Sequence, residues 1–106
     1  MSSANLFSAP PGPRTQEVFE TLLETPHFRL ERIVSTGQAT PEGQWYDQDR
    51  SEWVALLTGS AGLLFEGEAQ VRVMRPGDHV QIPAHRRHRV AWTDPEQPTV
   101  WLAIHY

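Results

Sequence analysis

The sequence predicts an all-β protein whose short strands form a sandwich or a barrel. After Pro26, short apolar segments alternate with polar residues, and glycines, prolines and aspartates separate them. Because side chains of a strand point alternately to its two faces, this alternation indicates one buried and one solvated face. Short strands at close, regular spacing are typical of barrels and sandwiches.

One short amphipathic helix is predicted before the strands, over residues 15–26. A threonine can cap its start and a proline ends it. Its four apolar residues recur at helical spacing: Val18, Phe19, Leu22 and Leu23. Residues 1–15 are rich in proline and serine and are predicted to form a flexible arm, which leaves residues 16–106 as a single domain.

The predicted strands follow in the remaining chain. They lie in "HFRLERIVST", "SEWVALLTG", "SAGLLFEGEAQVRVMRPGD", "HVQIPA", "HRVAWTD" and "TVWLAIHY". Gly67-Glu68 is predicted to be a hairpin turn. Two strands, Trp53 to Leu57 and Val100 to Ile104, are apolar on both faces. Such strands lie between packed layers or meet a partner subunit, so we expect a homodimer.

The composition excludes several classes of protein. The formal charge of −4 disfavours general binding to nucleic acid or to a membrane surface, so neither partner is expected. The chain has no cysteine, which removes disulfides, thiolate metal sites and thiol nucleophiles. No segment has the composition of a signal peptide or of a membrane span. We therefore expect a cytoplasmic protein.

Two spaced motifs carry the functional information. In "GDHVQIPAHRRHRVAW", Gly77 is followed after five residues by Pro83, and His88 comes five positions later. In "EWVALLTG", Glu52 is followed after six residues by Gly59.

This spacing resembles the cupin superfamily in its small single-domain form, over roughly residues 36–92. The resemblance implies an RmlC-like jelly roll, a double-stranded β-helix barrel, with the short helix packed at its N-terminal side. Cupins with similar motifs include dioxygenases, isomerases, epimerases, decarboxylases and non-enzymatic sensors. Whether this chain is an enzyme stays open, because a fold does not select a chemistry.

The first motif departs from the family pattern. Where cupins carry His-x-His, this chain reads "WYDQ", and two alignments are open: Trp45 with Asp47, or Tyr46 with Gln48. His85 replaces the glycine of Pro-x-Gly. The resemblance still implies a divalent metal site with mixed ligands, which suits Zn, Mn, Fe(II) or Ni. Its predicted ligands are Asp47, Glu52, His85 and His88.

Strand alternation predicts which side chains face the barrel interior. Two sets share an inner face: Glu52, Val54 and Leu56 on one strand, and His88, Val90 and Trp92 on another. Because a buried carboxylate is costly unless it is paired, Glu52 is predicted to pair with His88, directly or through a metal. The alternative is a hydrogen-bonded polar pair that holds no metal.

Aromatic and polar side chains near the motifs are candidates for a ligand pocket. The predicted pocket residues are Trp45, Tyr46, Gln48 and Trp92. Three other histidines lack partners in either motif and are predicted to be surface or core residues: His27, His79 and His105. The arginines around His88 are predicted to form salt bridges with nearby carboxylates: Arg86, Arg87 and Arg89.

Three functional hypotheses follow. The first is a cupin that binds a divalent metal and a small molecule inside the barrel, with enzymatic activity if the metal acts as a Lewis acid or an oxygen site. The second is a metal-free protein that binds or senses a small ligand, or an isomerase in which Glu52 or His88 acts as base. The third is a dimerisation protein with a vestigial pocket.

Overall fold

The computed structural model describes residues 2–10 and 15–106, and it confirms the all-β prediction within them. Eight strands follow one another along this part of the chain. They are β1 (Val18–Glu24), β2 (Arg29–Ser35), β3 (Glu52–Thr58), β4 (Ala61–Phe65), β5 (Arg72–Met74), β6 (His79–Ile82), β7 (His88–Thr93) and β8 (Thr99–His105). Within the same residues there is no helix with the length and hydropathy to span a bilayer.

The strands form two antiparallel sheets that face each other across the core. The larger sheet has the order β1-β2-β8-β3-β6, and the smaller has the order β5-β4-β7. The core between them is built from apolar side chains of both sheets: Val54, Leu56, Ala61, Leu63, Phe65, Met74, Ile82, Trp101 and Ala103. The two strands that are apolar on both faces, β3 and β8, are neighbours inside the larger sheet.

The predicted N-terminal helix is wrong, because its residues form β1. This strand pairs with β2 from Val18↔Val34 to Glu24↔Arg29. The register shifts between Thr21 and Leu23, so an extra residue bulges out of the ladder and breaks the two-residue alternation. The apolar spacing that imitates a helix is therefore that of a bulged strand, and pairing with β2 overrides the local pattern.

The end of β1 is fixed by a turn. Thr25 Oγ1 accepts hydrogen bonds from the backbone N–H groups of His27 (3.1 Å) and Phe28 (3.2 Å), and Thr25 N–H donates to the Phe28 carbonyl (2.9 Å). This turn sends the chain back as β2. It places Glu31 and Ile33 of β2 beside the central strands, where they help to line the cavity described below.

β4 and β5 pair as an antiparallel hairpin, but the predicted two-residue turn at Gly67-Glu68 is wrong, because the ladder ends at Leu63↔Arg72 and a longer loop joins the strands. That loop begins with a turn. Glu68 N–H donates to the Phe65 carbonyl at 3.0 Å, so Glu66 and Gly67 occupy the central positions. Gly67 has a φ of 89°, which is the left-handed region that the third residue of such a turn requires.

The predicted N-terminal arm covers residues 1–15, of which 1 and 11–14 lie outside the described residues. In the described part, Arg32 of β2 holds the arm against the sheet. Its Nη1 donates to the carbonyl oxygens of Leu6 and Ser8, each at 2.8 Å, while its Nε donates to Glu20 at 2.8 Å. Arg32 is itself buried, so the arm covers a charged side chain whose three guanidinium nitrogens all donate hydrogen bonds.

Candidate functional site

A cavity lies between the sheets, at the end of the barrel where β3 and β7 begin and β8 ends. The cavity volume is about 70 Å³, which is room for several waters or for a small organic molecule. Phe19 and Tyr46 line the cavity and are themselves exposed, so they mark its rim. Its polar lining residues are Glu17, Glu31, Tyr46, Gln48, Glu52, His88 and His105, with apolar side chains of the core beneath them.

Strand alternation brings the polar side chains to this cavity. On β3, Glu52 shares the inner face with Val54 and Leu56, as the sequence predicts. On β8, His105 lies on the same face as the buried Trp101. Since Glu52 and His105 are opposite each other in the β3–β8 ladder, a carboxyl and an imidazole are neighbours at the end of the central strands.

Glu52 and His88, predicted to pair, face each other across the two sheets. His88 Nδ1 lies 2.8 Å from the carbonyl oxygen of Arg86, which can only accept, so Nδ1 carries the proton. In a neutral imidazole, Nε2 is then an acceptor. This nitrogen lies 3.8 Å from Glu52 Oε1, which is too far for a direct hydrogen bond.

The Glu52 carboxyl is therefore buried without a hydrogen bond from any described residue. Its side chain is 8% exposed. Burial raises its pKa, and the positive charge that His105 and His88 can carry only partly opposes this effect. A proton is thus held more tightly on Glu52 than on an exposed glutamate, beside an imidazole nitrogen that can accept it.

A second carboxyl–imidazole pair, Glu31 with His105, lines the same cavity. His105 Nε2 lies 3.1 Å from Glu31 Oε1, and both side chains are buried. The sequence prediction treated His105 as a structural residue. The signal that could have found this pair is the alternation itself, which puts His105 in phase with Trp101 and Glu31 in phase with Ile33.

Glu17, just before β1, adds a third carboxyl to the lining. It accepts a hydrogen bond from the Ser35 hydroxyl, and the indole Nε1 of Trp101 donates to that hydroxyl at 3.3 Å. Burial raises the pKa of Glu17, against the lowering effect of the Ser35 hydrogen bond. The sequence pattern does not indicate this residue, because it lies just before β1 in the segment predicted to be a helix.

Asp47 and His85 lie outside the cavity and bind each other. His85 Nδ1 is 2.9 Å from Asp47 Oδ1, and their side chains are 64% and 49% exposed. His85 has a φ of 64°, the left-handed conformation that glycine at this motif position adopts without strain. The four predicted metal ligands are thus divided into a buried pair and an exposed pair.

Of the four predicted pocket residues, two line the cavity and two lie outside it. Tyr46 and Gln48 line the cavity, and the Tyr46 ring stacks on His88 with centroids 5.6 Å apart. Of the two open alignments, the structure therefore turns Tyr46 and Gln48 inward. Trp45 is not part of the lining; its ring lies beneath the guanidinium groups of Arg87 and Arg89, at 5.9 and 6.0 Å.

Trp92 is also outside the cavity, and here the predicted alternation is wrong. In the β4–β7 ladder Leu63 pairs with Val90 and Gly62 pairs with Trp92, so Ala91 is an extra residue. This bulge reverses the alternation, and Trp92 lies exposed on the outer face. Its indole occupies the space that a Cβ atom on Gly62 would need.

The arginines near His88 mostly make the predicted surface interactions. Arg87 Nη1 lies 3.2 Å from Glu66 Oε2, and Arg86 Nη2 lies 3.8 Å from Glu68 Oε2. Arg89 differs, because its Nη2 donates to the Thr40 carbonyl at 2.9 Å.

Comparisons with known proteins agree with this architecture. The sequence profile of the cupin domain matches residues 33–105, more than half of the chain. This chain belongs to the cupin family. No functionally curated protein matches it.

Solved structures resemble this cupin over nearly its whole length. A proposed mannose-6-phosphate isomerase from Ralstonia eutropha JMP134 is 52% identical, with 99% of this chain and 97% of that chain covered and a TM-score of 0.93. An RmlC-like cupin from Desulfovibrio desulfuricans is 21% identical, with 99% and 96% covered and a TM-score of 0.74. A cupin superfamily protein from Desulfitobacterium hafniense DCB-2 is 16% identical, with 91% and 82% covered and a TM-score of 0.73. The last two show the fold alone.

The four predicted ligands do not come together at one site, so they do not fit the metal that the cupin resemblance implies. Asp47 and His85 are committed to each other at the surface, away from Glu52 and His88. Across residues 2–10 and 15–106, no three or more histidine, aspartate or glutamate side chains are arranged to hold a metal ion. Of the predicted ligands, the buried side chains that remain available for chemistry in the cavity are those of Glu52 and His88.

Proposed function

We propose that this cupin binds a small polar organic molecule in the barrel cavity and moves a proton on it with Glu52 and His88, as an isomerase would, without a metal-dependent step. One observation carries the proposal. A buried carboxyl that receives no hydrogen bond within the described part of the chain faces the acceptor nitrogen of a buried imidazole at 3.8 Å, inside a cavity that can hold a ligand.

The pair has the properties that general acid–base catalysis requires. Burial raises the pKa of Glu52, which brings it nearer to neutral pH and allows the same carboxyl to take up and return a proton. Glu52 and His88 both line the cavity, so a group bound in it can approach Oε1 and Nε2 together. A substrate C–H or O–H placed there lies within reach of a base and of a second proton carrier.

Tyr46 supports the same chemistry from the rim. Burial raises the pKa of its phenol, and the carboxylates of Glu17 and Glu52 add to this effect. The phenol therefore keeps its proton at neutral pH and can donate a hydrogen bond to a substrate oxygen that gains negative charge.

The reaction class is suggested by the 52% identical relative, which is named as a proposed sugar-phosphate isomerase. Interconversion of a hydroxy-aldehyde and a hydroxy-ketone removes a proton from the carbon beside the carbonyl. It returns a proton to the neighbouring carbon and moves another between the two oxygens. Glu52 can carry the carbon proton while His88 and Tyr46 serve the oxygens.

The test is exchange of substrate carbon-bound hydrogen with D2O, followed by NMR over a panel of small hydroxy-aldehydes and hydroxy-ketones. Wild type is expected to catalyse exchange at the carbon beside the carbonyl. Glu52→Gln is expected to lower the rate by about 100-fold or more, the usual contribution of a general base. The control Glu66→Gln, at an exposed carboxylate, should leave the rate unchanged.

Asp47→Asn separates this proposal from the metal hypothesis. Asp47 lies outside the cavity, so its amide variant should retain the exchange rate. Loss of exchange in Asp47→Asn, or after treatment with a chelator, would contradict the proposal. So would the absence of exchange from every member of the panel.

A further inference from the structure

The hydrogen-bonding groups of the cavity are unevenly divided between donors and acceptors. Three carboxyls line it, from Glu17, Glu31 and Glu52. His88 directs an acceptor nitrogen towards Glu52, since its Nδ1 donates to the Arg86 carbonyl. Acceptors therefore dominate the surface that a ligand would meet.

Two of the donors that line the cavity are already used, while the Tyr46 hydroxyl and the Gln48 amide also line it. The Trp101 indole N–H donates to Ser35, and His105 Nε2 donates to Glu31. Among the described residues that line the cavity there is no lysine or arginine. Arg29 approaches from outside the lining, with its Nε 3.9 Å from Glu31 Oε2. A phosphate or carboxylate, which can only accept, would meet few donors and several negative charges.

Two acceptors of the cavity, on Glu52 and Gln48, mark where a ligand's hydrogen-bond donor would bind. Among the described residues, none donates a hydrogen bond to the Glu52 carboxyl, which is 8% exposed, and none partners the buried Gln48 Oε1. A group with several N–H bonds can reach more than one of these acceptors at once, whereas a single hydroxyl hydrogen reaches one.

From this acceptor-rich cavity we infer that the ligand of this cupin is a small molecule with an ammonium group and without a phosphate, its N–H bonds directed at Glu52 and His88. The inference rests on the proposed function, because it uses the same site. It narrows the substrate class and departs from the sugar phosphate in the name of the 52% identical relative.

The experiment compares three probes of matched length with the full chain: 3-amino-1-propanol, 1,3-propanediol and 3-hydroxypropanoate. Inorganic phosphate is the fourth probe. Binding is followed by NMR at the imidazole nitrogens of His88 and His105. The amine is expected to bind about tenfold or more tightly than the diol, the usual gain from a hydrogen bond between charged groups. Neither anion should produce a saturable shift.

Variants connect the binding to the proposed atoms. Glu52→Gln should weaken amine binding by about tenfold or more, and the exposed control Glu66→Gln should not. Because glutamine has nearly the shape of glutamate, we expect the variant to fold. Circular dichroism checks that it does.

Three results would overturn the inference: saturable binding of either anion, equal binding of the diol and the amine, or unchanged amine binding in Glu52→Gln. Displacement of the amine by one equivalent of Zn²⁺, observed at both imidazoles, would identify a metal as the occupant and overturn it as well. Proton exchange on an anionic substrate would refute this inference while leaving the acid–base function intact. Failure of the exchange assay on every substrate would refute the function itself.

Discussion

Replacement of Glu52 by glutamine should make the protein more stable at neutral and alkaline pH. Burial raises the pKa of Glu52 in the folded state, so the folded chain binds more protons than the unfolded chain between the two pKa values. The contribution of this carboxyl to stability is therefore fully present below the unfolded pKa. It is lost as the pH rises through the folded pKa, and Glu52→Gln removes this loss.

The size of the effect has two parts. Each unit by which folding raises the pKa is equivalent to ~1.4 kcal/mol in the free energy of unfolding. The glutamine amide can also donate to His88 Nε2, for about 0.5–1.5 kcal/mol. We expect Glu52→Gln to raise the free energy of unfolding by about 1–3 kcal/mol at pH 8. The gain should shrink towards pH 4, because the carboxyl of the wild-type protein becomes protonated there and its burial no longer costs stability.

The assay is urea unfolding of wild type and variant between pH 4 and pH 8, with melting temperatures as a second measure. One kcal/mol corresponds to roughly 4–8 °C in a domain of this size. The control Glu66→Gln, at an exposed carboxylate, should change the free energy of unfolding by about 0.5 kcal/mol or less. A decrease of more than ~1 kcal/mol for Glu52→Gln at pH 8 would refute the reasoning, because it would mean that the ionised carboxylate is favourably held.

Two further predictions concern the fold and the assembly. Gly59→Ala should lower the free energy of unfolding by about 2–5 kcal/mol, because φ is 81° and the new Cβ would lie 2.7 Å from Thr99 Cα. The matched control Gly67→Ala has a similar φ and nothing within 4 Å, so urea unfolding should show only about 1–2 kcal/mol. For the predicted homodimer, the exposed Leu22 and Leu23 of the edge strand β1 are the surface we expect to be covered. Light scattering should then find a dimer for wild type and a monomer for Leu23→Asp, and a monomeric wild type would show that this prediction is wrong.

Local sequence patterns were sufficient for most of the fold. Alternating segments and turn residues predict the strands after Pro26, because burial of one strand face requires that alternation. The same reasoning failed at β1 and at Trp92 for one shared reason. Each strand contains a bulge, and an extra residue reverses or obscures the alternation. Its position is decided by pairing with another strand, which no local pattern reports.

For the site, the sequence by itself determined the part that depends on position along a strand. Motif spacing and strand phase placed Glu52 and His88 inside the barrel, facing each other. Only the tertiary structure decided the rest. The register of β8 against β2 and β3 brings His105 to Glu31 and Glu52, whereas the loop geometry turns Asp47 and His85 outward to bind each other. The physical reason is that spacing along a strand sets which face a side chain occupies, while sheet register and loop conformation set which side chains meet.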